Sequence, residues 1–157
     1  GEMKPLWWNC KHLATDRVVA GFDRVMVLDA LVQLRALNLR HLLRTMRGNS
    51  IDIAHPAVSH GSGCYSGRLL QRSKLSVRFT DFIELLCPVF TQTAWSLFHD
   101  RLLQPDIAFH GIGYDQLVKS VVQVDRLGVI DGAEVGVGCR AGGQGLSEVL
   151  ERDAREL

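Results

Sequence analysis

The chain lacks most of the marks that would assign a function at sight. Its four cysteines, Cys10, Cys64, Cys87 and Cys139, form no C-x-x-C pair, which excludes a zinc ribbon and a thioredoxin-like dithiol. Free thiols are the expectation, although spacing alone does not exclude a disulfide. An excess of one charge is missing too: eighteen basic and seventeen acidic side chains leave a net charge of +1. Nucleic acid is therefore not an expected partner, because no strong positive field is available to gather it. Charges interrupt every hydrophobic stretch, so no apolar run approaches the ~20 residues of a membrane span. The opening Gly1–Pro5 carries neither an apolar signal core nor an Arg-rich presequence. No Gly-x-Ser-x-Gly elbow and no Walker lysine loop occur. Gly136–Ala141 formally meets a dinucleotide fingerprint. No helix begins there at once, and the chain ends too soon for a ribose-binding acid about 20 residues further on.

What is present suffices for a real core. At 157 residues and 46% hydrophobic content, one domain spanning 1–157 is expected. Trp7, Trp8 and Leu13 anchor a segment over 6–20 that leads into a buried strand at 24–29. Leu31, Leu34, Leu39, Leu42, Leu43 and Met46 recur at helical spacing, and Gly48-Asn49 supplies a stop, so the pattern predicts a helix from Leu31 to Arg47. Its other face, with Arg40, Arg44 and Arg47, reads as solvated. Ile51–His55 predicts a short strand ending before Pro56. Leu75, Val77 and Phe79 alternate with polar residues, and Phe82–Phe90 reads as a buried neighbouring strand. Thr91 or Thr93 can cap a helix carrying Trp95, Phe98 and Leu102 on one face, with Pro105 ending it. Asp115 can cap the next, through Val118, Val121 and Val122. Gly128–Asp131 reads as a last strand, followed by a glycine-rich loop and a charged helix over Ser147–Leu157. This alternation predicts the α/β class: a mixed sheet with helices packed on it.

Few residues carry candidate chemistry. Asp29 closes the run Phe22–Leu28, the place where an open α/β sheet presents ligands for a metal or nucleotide. It is followed by Ala30 and Leu31, so it offers a hard cation one or two oxygens where several are needed. As a plain alternative it caps the Leu31 helix. Glu84, between Ile83 and Leu85, calls for a buried partner such as an arginine. Cys87, ahead of a proline, reads as structural. His55, His60, His99 and His110 lack compact zinc spacing and would form a site only if the fold gathered them.

Several segments in shared order resemble the DUF707-type family, uncharacterised proteins grouped with glycosyltransferases of the GT-A type. Phe22–Asp29 is similar to the family's aromatic strand ending in an acidic triplet. Asp52–His60, Val77–Glu84 and Cys87–Thr91 follow in the family's order, then Gly111-Ile112-Gly113-Tyr114-Asp115 and Gly128–Asp131. The likeness covers about residues 20 to 145 and implies a partial GT-A-like, Rossmann-like sheet. It also implies roles: Asp115 as a catalytic base, and Asp29 and Glu84 as donor-binding residues. The departures are as informative. Ala30 and Leu31 stand where the triplet continues, Val135–Arg140 holds no histidine where the family has one, and only 21 residues precede Phe22.

Two functional expectations follow. The first is a degenerate, non-catalytic glycosyltransferase-like domain serving as a structural or binding subunit of a larger protein assembly, with no cofactor. Trp7 and Trp8 would then contact protein partners, while Trp95 is the better core candidate. The second is an active transferase using a nucleotide-sugar donor, with Mn2+ or Mg2+ assisting.

Overall fold

In a computed structural model, residues 5–62, 66–72, 74–104 and 113–138 are described. They form a mixed α/β fold. Strands β1 (Arg24–Met26), β2 (Val32–Gln33), β3 (Ile53–Val58), β4 (Arg78–Thr80), β5 (Val89–Thr91) and β6 (Leu127–Val137) make one six-stranded sheet in the order β1-β5-β3-β6-β2. β4 pairs with the start of β6. Only β3 and β6 run parallel among these pairs; the others are antiparallel.

Alternating side chains send the sheet's apolar residues to both faces. Ile53, Phe90 and Leu127 meet α1 (Leu6–Leu13), α4 (Gln92–Phe98, continuing as a wider π-helical turn to Leu103) and α5 (Tyr114–Leu117, continuing likewise to Val122). A short helix, α2 (Asp16–Val19), adds Val19 to the same cluster. Here Phe90 meets Trp95 edge-on at 5.2 Å, and the Trp95 indole N–H donates to Ala14 C=O at 2.8 Å. Ala54, Val89 and Ile130 point the other way, against Leu42 and Met46 of α3 (Leu39–Gly48).

Several expectations need correction. The helix expected from Leu31 begins at Leu39, because the Asn38 side chain accepts the His41 N–H at 3.0 Å and caps it there. Residues 31–33 instead turn and pair with the end of β6, a tertiary contact that outweighs the helical spacing of Leu31 and Leu34. Most of Phe82–Phe90 is irregular, with a strand only from Val89. β3 does not stop before Pro56 but runs on to Val58, fully buried. β6 is longer than expected and carries three extra residues, 131–133, between its partners for Pro56 and Ala57. A proline has no N–H to leave unpaired beside such a bulge. Gly136, part of the apparent dinucleotide fingerprint, lies inside β6, and Gly138 directly follows that strand.

Other expectations hold. Thr91 caps α4, its hydroxyl accepting the Ala94 N–H at 3.1 Å. Trp95 is buried, and Arg40, Arg44 and Arg47 face solvent. Cys10 and Cys87 are free thiols, pushed by burial up to about 11 and about 12. Pro105, His110, Cys64, Cys139 and the Ser147–Leu157 helix lie outside the described residues.

Candidate functional site

The segment after β1 keeps its pairing beyond Met26. Val27 N–H reaches Pro88 C=O at 3.1 Å and Asp29 N–H reaches Leu86 C=O at 2.8 Å. Asp29 therefore arrives beside the 84–86 stretch at the end of an extended run, as its position in the sequence implies. Its side chain is already engaged there: Oδ1 accepts the Leu31 N–H at 2.9 Å, and Val32 N–H returns to the Asp29 carbonyl at 3.0 Å. This is an Asx turn. Asp29 thus caps a turn at Leu31, where a helix cap was the expectation. Leu31 C=O in turn accepts Gly138 N–H at 2.9 Å, which brings the Asp29 turn to the carboxyl end of β6.

Glu84 lies two residues before Leu86. One carboxylate oxygen accepts the Ser66 N–H, whereas the other is buried without a hydrogen-bond partner among the described residues. Among the described residues no arginine answers it, where such a partner was the expectation. Burial pushes its carboxyl above the usual range, the Ser66 N–H opposes the rise, and the charge of Asp115 adds to it. Glu84 and Asp115 are thus electrical neighbours although 31 positions separate them in the chain. Asp115 sits in the first turn of α5 but is not its cap. Gly113, with φ of +87°, takes the cap position, a backbone conformation that glycine adopts without strain. The structure thus links Asp29, Glu84 and Asp115, through one backbone bond and one charge interaction, into neighbouring stretches.

Trp7 is not at the surface. It packs at 5.3 Å from Phe98 and 6.3 Å from Tyr114 in the helix-side core, which corrects its expected place as a partner contact. Its neighbour Trp8 is 45% exposed, beside His12. The histidines are not gathered: among the described residues no three of His, Cys, Asp and Glu could hold a metal ion. His55 lies buried in β3. Its Nε2 accepts the Cys87 N–H at 3.2 Å, so Nδ1 carries the proton and donates to Pro56 C=O. Burial lowers this imidazole from 6.5 to about 4, against the opposing effect of the Pro56 bond.

Two polar groupings were missed in the sequence. Asp131, 2% exposed, holds Arg78 in a two-pronged ion pair at 2.7 and 3.1 Å and accepts the Arg72 N–H at 2.7 Å. Arg78 also donates to the carbonyls of Arg68 and Leu70, both at 2.8 Å, so the pair ties the 66–72 segment to β6. An acid after Val129-Ile130 in a buried strand was the available signal, since a buried carboxylate needs a cation. The second grouping lies at the carboxyl ends of the parallel pair, where α/β sheets place ligands. There the Ser59 hydroxyl donates to Glu134 at 3.1 Å, and the Ser62 hydroxyl accepts the Val137 N–H at 3.1 Å. Neither serine stands out in sequence. A shallow, open depression nearby is lined by His60, Gln71, Arg72, Lys74 and Leu75. It touches none of the three acids.

No family model, curated protein or solved structure matches the chain.

Proposed function

We propose that this chain is a GT-A-like glycosyltransferase domain without metal-dependent transfer, acting as a structural or binding subunit of a larger protein assembly. One observation carries the reading. The only acid at the tip of the β1 run spends one oxygen on the Leu31 N–H, and Ala30 and Leu31 follow it. A divalent ion that must neutralise a departing diphosphate needs several oxygen ligands. Asp29 in an Asx turn does not fit that task, and no chemical step is assigned to a metal here.

The remaining carboxylates suit a binding role. Burial and, less strongly, the charge of Asp115 raise the affinity of Glu84 for its proton, and neighbouring carboxyl oxygens can accept hydrogen bonds from a bound group. The same pair favours the second reading, an active transferase in which Asp115 accepts the proton of an acceptor hydroxyl and Asp29 and Glu84 help hold the donor.

Titration calorimetry with nucleotide sugars in the presence of Mn2+ separates the two. The first reading expects no saturable heat. Saturable binding that is lost in Asp29→Ala and Asp115→Ala would overturn it in favour of the transferase.

A further inference from the structure

We propose that two copies of this chain associate through the open edge of β1, pairing antiparallel about Val25 to continue the sheet from one copy into the other. The proposal rests on the assembly reading above and names its first contact.

β1 is the terminal strand of the sheet. Gln92 N–H to Asp23 C=O, Val27 N–H to Pro88 C=O and Asp29 N–H to Leu86 C=O all join odd-numbered positions of this run to the β5 side. In the same ladder Thr91, which stands opposite Arg24, turns its N–H away to Asp52 C=O. The main-chain groups of Arg24, Met26 and Leu28 consequently point outward, and no described strand pairs with them. The edge reads Arg24-Val25-Met26-Val27-Leu28. It lacks the proline, the bulge and the central lysine with which soluble proteins block edge pairing. Phe22 and Leu28 at its two ends are 64% and 39% exposed.

A second copy fits this edge in the register that keeps like charges apart and brings its exposed apolar ends together. Self-pairing centred on Arg24 sets Arg24 against its own copy. Pairing centred on Met26 sets Asp23 against Asp29. Like charges directly opposite destabilise a ladder. Pairing centred on Val25 avoids both conflicts, with Arg24 facing Met26 of the other copy, and it alone sets exposed Phe22 beside exposed Leu28 at each end. Such an interface is isologous and closes on itself as a dimer.

Sedimentation of the intact chain over a range of concentrations is expected to show a monomer–dimer equilibrium. The double variant Phe22→Glu/Leu28→Glu changes only exposed side chains and should weaken dimerisation at least about tenfold, with an unaltered near-UV circular dichroism spectrum. Hydrogen exchange supplies a second readout: the amides of Arg24, Met26 and Leu28 should be protected in the dimer and exchange freely in the variant, while those of Val25, Val27 and Asp29 stay protected in both. A monomeric chain, or a dimer indifferent to the variant, overturns the proposal. Protection of the even-numbered amides in a monomer would do so as well, by placing another segment of the same polypeptide on the edge. A monomer that binds a different, purified subunit would sink the two-copy edge and leave the assembly reading standing. Saturable nucleotide-sugar binding by an edge-paired dimer would do the reverse.

Discussion

His55 shows how one buried side chain sets a condition on the fold. Its unprotonated Nε2 accepts the Cys87 N–H and its Nδ1–H serves Pro56, so the ring is satisfied only while neutral. Protonation would place two N–H donors where one acceptor is required. Because the folded-state value is depressed to about 4 from 6.5, the unfolded chain binds a proton first as pH falls. Stability is fully present above about pH 6.5 and declines toward pH 4, by on the order of 3 kcal/mol in total. Urea unfolding at a series of pH values should show this slope, and His55→Gln should flatten it. An equally steep profile in the variant would move the effect elsewhere. Glu84 shifts in the opposite sense: with a raised folded-state value it contributes stability below the ordinary carboxyl range that is lost as pH rises through that value. The two groups therefore oppose each other in the acid range, and the single variant is needed to isolate the histidine.

At the scale of elements, α3 separates local pattern from tertiary choice. Apolar spacing predicts helix from Leu31, yet the amphipathic stripe that reaches the sheet is only Leu42 and Met46, with Leu43 at its margin. The preceding residues gain more by pairing Val32 and Gln33 with the end of β6. The helix therefore depends on Asn38 for its start. Asn38→Ala should cost about 1 kcal/mol, read as a lower urea midpoint with an unchanged slope. Substitution of Leu34, 42% exposed and outside the helix, should leave the midpoint nearly unaltered. A larger loss at Leu34 than at Asn38 would contradict the boundary.

For the molecule as a whole, the three tryptophans report where apolar surface is covered. Trp7 and Trp95 lie in the helix-side core and Trp8 is 45% exposed. Iodide should therefore quench one fraction of the emission, and Trp8→Phe should remove that fraction while the buried emission persists. Quenching that survives Trp8→Phe would mean that the helix-side core opens to solvent. Trp8 is the one of the two amino-terminal tryptophans at the surface.

Much of this was legible in one dimension. The strands read at Ile51–His55 and Gly128–Asp131 and the polar stripe of Arg40, Arg44 and Arg47 follow from periodicities of two and 3.6, which local geometry imposes on any chain, and the Thr91 cap from its hydroxyl. Those patterns gave the α/β class and the place of Asp29 at a strand's end. They did not give the partners of charged groups, because an ion pair such as Arg78–Asp131 or a neighbour pair such as Glu84–Asp115 depends on which segments meet in space. The burial of Trp7, the bulge beside Pro56 and the open side of β1 were likewise decided by tertiary packing. Sequence fixes which face of each element is apolar; only the assembled sheet determines which edge is left unpaired and which carboxylates must share a neighbourhood.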